Sequence, residues 1–213
     1  SCPSSMAEDD DDDVIVSLAA LNLDHTNRKK KVSTQNTLAA EVRRLAGVIE
    51  PDIIGCTEVA GKTWVNLFEK KTDYIGVLSK APYGYYYTSW DEKRYLLEKE
   101  IISYTGRDFS TFVLEDKKKS ATILVMNVHM PNKVSQSQWN KKLNLLLKTI
   151  EDEGEDTNST YVMGDFNRTS EIVIPMFEEF GFHAAISSRP TTEAGNSIDN
   201  MFVSDDLRFS RVH

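Results

Sequence analysis

Short apolar runs follow one another along this chain, and most are too short for a helix and end abruptly in a polar residue. Val14 to Leu21 is rich in Val, Ile and Leu and stops at Asn22, and Asp52-Ile53-Ile54-Gly55-Cys56-Thr57-Glu58 has the same form and stops at Glu58. Runs of this length, bounded by charge or turn residues, read as buried strands. Between them Leu38, Val42, Leu45 and Ile49 recur at helical spacing, with Ser33 or Thr34 as N-cap and Pro51 as terminator. The opening is therefore strand, helix, strand. It places Asn22 and Glu58 near strand C-termini, where side chains can converge.

Further along, Tyr74 to Leu78, Tyr83 to Trp90, Leu96 to Tyr104, Phe109 to Glu115 and Ala121 to His129 are expected as successive strands. A weakly helical stretch, Trp64 to Phe68, precedes them, and Lys117-Lys118-Lys119 marks a hairpin loop. Gln136 to Ile150 carries Trp139, Leu143, Leu146, Leu147 and Ile150 as a helical stripe. Tyr161-Val162-Met163 then makes a short strand that delivers Gly164-Asp165-Phe166-Asn167 into a turn. Glu171 to Phe180 is expected as a helix and Ile198 to Val203 as a strand. Taken singly, Asn22 and Asn167 read as turn residues, Glu58 as a surface carboxylate and His129 as a hydrogen-bonded core histidine. Taken together with Asp165, they are polar groups delivered by strand ends, which is how a rigid scaffold arranges a site.

Composition narrows the function classes. The chain is 40% apolar and 27% charged, and no run approaches the ~18 apolar residues that would suggest a membrane span. At 213 residues it is sized for one substantial domain, expected over residues 14 to 213. Of the formal charge of -8, the block Glu8 and Asp9 to Asp13 contributes -6 and leaves -2 for the rest. Such a block has no apolar partners to offset its ordering entropy, so residues 1 to 13 read as a disordered acidic tail, dispensable for fold and chemistry. An acidic body argues against holding nucleic acid by bulk electrostatics, although a bound metal ion can supply positive charge at one phosphate. Cys2 and Cys56 show no metal spacing, and Cys56 reads as a buried, inert thiol. No signal-peptide pattern opens the sequence, and compartment is not otherwise indicated.

The polar strand ends belong to longer words: Leu21-Asn22-Leu23, Pro51 to Glu58, Asn127-Val128-His129, Gly164 to Asn167, and Ser197 to Ser204. In this order, over residues 14 to 213, they resemble the endonuclease/exonuclease/phosphatase superfamily, whose members include deoxyribonuclease I, base-excision endonucleases, neutral sphingomyelinases and inositol polyphosphate phosphatases. The resemblance implies an α+β fold: a four-layer α/β sandwich of two packed, mainly antiparallel sheets flanked by helices. It also implies a metal-dependent phosphodiesterase.

By the same resemblance, Glu58 with Asn22 is the Mg²⁺ or Mn²⁺ position, suited to a hard cation that keeps room for water and substrate oxygen. Asp165 orients or deprotonates the attacking water, and Asn167 holds a phosphate oxygen. His129 is the catalytic histidine, with Asp199 as its carboxylate partner, and Arg107 grips phosphate. Gly164 to Arg168, with Pro190-Thr191-Thr192 later, is closest to the deoxyribonuclease branch, so a nucleic-acid substrate is expected. The alternatives are a sphingomyelinase-like or other small-molecule phosphodiesterase or phosphatase, and a catalytically inactive member serving as a binding module. The family closes on a strand carrying Ser-Asp-His. The sequence ends at His213 before such a strand, and Ser204-Asp205-Asp206 does not replace it, so that element is expected to be missing.

Overall fold

The computed structural model describes residues 16–24, 35–47, 50–81, 84–101, 108–185 and 199–204. Strand β1 (Leu18–Asn22) lies parallel to β2 (Ile53–Val59), with Asn22 opposite Thr57. A parallel pair needs a crossover, and helix α1 (Gln35–Ala46) supplies it. Helix α2 (Lys62–Glu69) follows, and then the hairpin of β3 (Tyr74–Ala81) and β4 (Gly84–Asp91). Strand β4 pairs antiparallel with β2 and closes a four-stranded sheet in the order β1-β2-β4-β3.

The second sheet has six strands in the order β5-β6-β7-β8-β10-β9. These are β5 (Tyr95–Ile101), β6 (Phe109–Asp116), β7 (Ala121–His129), β8 (Ser159–Asp165), β9 (Phe182–Ala185) and β10 (Asp199–Ser204). Strands β7 and β8 are parallel and joined by α3 (Gln136–Gly154); α4 (Ser170–Glu178) leads to β9. Helix α3 starts on a capping box, with Gln138 N donating to Ser135 Oγ and Ser135 N donating to Gln138 Oε1.

The layers follow from which face of each strand is apolar. Ile53, Trp90, Phe112, Val125, Tyr161 and Met163 fill the space between the two sheets. Leu38, Val42, Trp64 and Phe68 cover the outer face of the four-stranded sheet, and Trp139, Leu143, Leu146 and Phe177 cover that of the six-stranded one. The result is helix, sheet, sheet, helix, as expected from the resemblance. Each sheet is mixed, because each contains one parallel pair made by its helical crossover.

Differences from the sequence reading are local. The expected strands at Tyr83 to Trp90 and Leu96 to Tyr104 each reach one residue further at the described end, as Gly84–Asp91 and Tyr95–Ile101, while Tyr83 and residues 102–104 lie outside the described residues. Strand β9 was not expected at all. Its Phe182-His183-Ala184-Ala185 is too short to show an alternation, and pairing with β10 makes it a strand. The acidic tail, Ser33, Thr34, Ile49, Arg107 and residues 205–213 lie outside the described residues.

At one end of the sandwich the buried Arg94 ties the sheets together, with Nη1 2.9 Å from Asp52 Oδ1 and Nη2 2.8 Å from Asp116 Oδ2. Asp52 in turn accepts from Ser17 N at 2.7 Å. The opposite end is where the parallel pairs finish together. Asn22, Glu58, His129 and Asp165 all sit there. Among the described residues no helix is long and apolar enough to cross a membrane.

Candidate active site

Asp165, the last residue of β8, stands at the centre of this end. In register it faces His129 on β7 and Asp199 on β10, so three polar residues lie side by side across three strands. The first sheet contributes from above: Asn22 Nδ2 donates to Asp165 Oδ2 at 3.0 Å and lies 3.4 Å from Glu58 Oε1. His129 Nε2 completes the cluster, 3.6 Å from Glu58 Oε1 and 3.9 Å from Asp165 Oδ2. Four of the expected residues therefore meet directly, and Asp199 acts on His129 electrostatically from across β8.

Local backbone geometry explains why these words take these forms. Glu58 has φ 51° and sits where the β2–β4 register shifts, so a bulge turns its side chain out of the strand alternation and toward the second sheet. Left-handed backbone at a non-glycine residue costs on the order of 1–3 kcal/mol and gathers at functional sites. Asn167 shares it, with φ 50°: its N–H donates to Asp165 Oδ1 at 2.8 Å and its Nδ2 to Met130 O at 2.7 Å. An amide nitrogen carries two hydrogens, so one remains for a substrate oxygen. Phe166 between them is buried against Phe177 and Phe202 and anchors the turn.

The electrostatics are those of a buried acidic cluster. Burial pushes the Asp165 carboxyl up to about 6, against the lowering effect of the bonds from Asn167 and Asn22; Glu58 adds to the rise. Burial also lowers His129 below its ordinary value, outweighing the opposite pull of Glu58, Asp108 and Asp199. His129 is therefore a neutral imidazole near pH 7, able to accept or relay a proton.

Sequence reasoning missed the groups that hold this histidine. His129 N donates to Asp108 O at 2.8 Å, and the Asp108 carboxylate forms an ion pair with Lys142 of α3. Tyr86 Oη, from the other sheet, donates to His129 O at 3.3 Å. Asn127, two residues earlier, is fully buried and donates to Cys56 O at 3.1 Å and Thr88 Oγ1 at 3.2 Å, locking the sheets at a fixed spacing. Cys56 itself is buried and free, its thiol pushed up by burial to about 12, the inert thiol expected.

Among solved structures, an endonuclease/exonuclease/phosphatase from Bacteroides vulgatus superposes with a TM-score of 0.71 at 19% identity, covering 89% of this chain and 87% of that one. The chain has the endonuclease/exonuclease/phosphatase fold. Two further structures share it. One is a mannosyl-6-phosphatase from Bacteroides thetaiotaomicron, with a TM-score of 0.68, 14% identity and coverage of 89% and 85%. The other is D. rerio TDP2 complexed with a single-strand DNA product, with a TM-score of 0.66, 13% identity and coverage of 91% and 86%. No protein-family model and no curated protein matches the sequence.

Within this endonuclease/exonuclease/phosphatase fold, the donor set fits a hard divalent cation. Glu58 Oε2 is buried with no hydrogen-bond partner among the described residues, a costly arrangement for a carboxylate oxygen that a cation would relieve. Asp165 adds negative charge beside it, while the neighbouring histidine is lowered by burial and neutral near pH 7. Among the described residues no group of three or more His, Cys, Asp or Glu side chains is placed to hold a metal ion, so Glu58 would be the one carboxylate ligand. An open position with one carboxylate suits Mg²⁺ or Mn²⁺, which keep water and substrate oxygens as ligands. Asn22 stands between the carboxylates, its Nδ2 facing Glu58 and Asp165 and its Oδ1 accepting from Asp24 N at 2.9 Å.

Proposed function

We propose that this chain is a Mg²⁺- or Mn²⁺-dependent phosphoesterase that cleaves phosphodiester bonds of nucleic acid. The observation that carries the reading is the meeting of Asn22, Glu58, His129 and Asp165 at one end of the sandwich, with a buried Glu58 oxygen left for a cation. Support for nucleic acid comes from the deoxyribonuclease-like word Gly164 to Arg168 and from the DNA product held by TDP2. The likeness to a mannosyl-6-phosphatase favours a second reading, hydrolysis of a sugar phosphate monoester.

A phosphate ester resists attack because its anionic oxygens repel the nucleophile, so the site must offset that charge, activate water and orient the ester. When bound at Glu58, the cation would supply the positive charge and polarise the phosphate. Asp165, ionised above about pH 6, orients a water and takes its proton. As the water adds, the P–O bond to the ester oxygen breaks, and His129, a neutral relay between the carboxylates, passes the proton from Asp165 to that departing oxygen, with Asp199 stabilising the charged form. The remaining hydrogen of Asn167 Nδ2 holds a non-bridging phosphate oxygen.

Rates on supercoiled plasmid, single-stranded DNA, RNA, sphingomyelin and mannose 6-phosphate, each with Mg²⁺, Mn²⁺ or chelator, test both readings. Metal-dependent nicking is expected, and turnover of mannose 6-phosphate alone would favour the second reading. If every substrate stays intact, the site serves binding. Glu58→Gln should weaken Mn²⁺ binding at least about 10-fold by calorimetric titration, since the amide cannot replace the anionic ligand. Unchanged affinity in a folded variant would remove Glu58 from the metal position.

A further inference from the structure

The turn carrying Asn167 is held from behind as well as from the site. Both of its carbonyls are engaged: Trp139 Nε1 donates to Phe166 O at 3.0 Å, and Arg168 Nη1 donates to Asn167 O at 2.8 Å. The Arg168 guanidinium continues outward. Its Nη2 donates to Val134 O at 3.2 Å and its Nε to Gln136 Oε1 at 3.4 Å, while its central carbon lies 5.6 Å from the Trp139 ring centre. Each nitrogen of the group thus makes one bond to the protein, three of its five N–H donors. A guanidinium beside a phosphoesterase site would ordinarily be read as a phosphate clamp.

We propose that Arg168 is instead a positioning residue, tying the Asn167 turn to the loop between β7 and α3. This rests on the phosphoesterase reading of the site. The physical need is clear from Asn167, whose left-handed backbone is uphill for a residue with a Cβ and must be held by its surroundings. Asn167 N bonds Asp165 and its side chain bonds Met130 O, so any swing of the turn moves the Asp165 carboxylate and the phosphate-holding amide together. Arg168 resists that swing by joining Asn167 O to Val134 O, two carbonyls on loops from different strands. Three donors directed in one plane suit a guanidinium. A lysine ammonium presents a single point and cannot span both carbonyls while also meeting Gln136.

The experiment compares the full chain with Arg168→Ala, Arg168→Lys and Gln136→Ala, by amide hydrogen exchange at Asn167 and by steady-state kinetics over a range of salt. Both Arg168 variants should raise Asn167 exchange about 10-fold, the scale of losing a hydrogen bond that restrains local opening. They should lower kcat about 10-fold, with KM and its salt dependence unchanged. Gln136→Ala should shift both readouts in the same direction by less, and it carries the test if an Arg168 variant fails to fold. Unchanged exchange at Asn167 would overturn the proposal. So would a raised KM with a flattened salt dependence that Arg168→Lys restores, the signature of a phosphate contact. Exchange requires no turnover, so an inert parent whose variants still lose protection at Asn167 would retain the positioning role and remove the phosphoesterase reading.

Discussion

Replacing Asp165 by Asn should lower hydrolysis of the accepted phosphate ester at least about 100-fold, the usual scale for a lost general base. The substitution preserves shape but removes the charge and the capacity to take a proton, and it sets an amide donor in place of the Oδ2 that accepts from Asn22 Nδ2. Asp165 Oδ1 would remain an acceptor for Asn167 N, and the β8 register with β7 and β10 would be untouched. Burial holds the metal-free carboxyl at about 6 and a cation at Glu58 would draw it lower, so the parent's rate should rise with pH at or below that value and then flatten. The residual rate of Asp165→Asn should lack the rise. Initial rates from pH 5 to 8 at fixed Mg²⁺ measure both, and a variant keeping more than a tenth of the parent's rate would take Asp165 out of proton transfer.

The same shift has a consequence for stability, and its sign is opposite to that of an ordinary surface carboxylate. Asp165 is raised from 3.8 to about 6, so the stability it contributes is fully present below pH 3.8 and is lost as pH rises through about 6. In chelator, the parent should therefore lose up to about 3 kcal/mol relative to Asp165→Asn between pH 4 and 7, from ~2 pKa units at 1.36 kcal/mol each. The free energy comes from holding a charge in a buried site that already contains Glu58. Activity is thus gained at the expense of the fold, as expected for a site that strains its own scaffold. Urea unfolding at the two pH values gives the comparison.

The strand ends were legible because an apolar run that stops in a polar residue records both burial and its limit. Asn22, Glu58, His129 and Asp165 could be named on that ground, and the parallel pairing that brings them together follows from the helical stripes of α1 and α3. Partnership was not legible. Asn127 lies inside an apolar run, and nothing in its neighbours says that its amide crosses to Cys56 and Thr88 of the other sheet. Trp139 belongs to the stripe of α3, which explains its burial but not the bond from its indole to Phe166 O. Arg168 was only the last residue of the word Gly164 to Arg168, and nothing in that word names its carbonyl partners. The bulge at Glu58 was equally hidden, because periodicity predicts which face a side chain takes only while the strand stays regular. Pattern therefore located the site residues, while the contacts that orient them depend on tertiary register.

Gly164→Ala should be the most damaging single methyl in the site, costing at least about 4 kcal/mol or abolishing cooperative unfolding. Two independent obstacles coincide there. Gly164 has φ 136°, a conformation that side-chain-bearing residues rarely adopt, and an added Cβ would lie 2.1 Å from Val128 O and 2.9 Å from Val128 C and N. Those atoms are backbone of the neighbouring strand, so no rotamer change relieves the overlap; β7 and β8 must separate at the Val128–Gly164 pair. Separation there displaces His129 from Asp165, one residue further along both strands, so any folded fraction should also lose activity. Gly154→Ala is the control. At that end of α3 the new methyl would meet Thr160 Oγ1 at 3.4 Å and Leu124 Cδ2 at 3.8 Å, ordinary contacts that should change stability by less than about 1 kcal/mol. Thermal and urea unfolding of the two variants beside the parent make the comparison. If Gly164→Ala unfolds within 1 kcal/mol of the parent, the close approach of β7 to β8 is wrong, and with it the explanation for why glycine precedes Asp165.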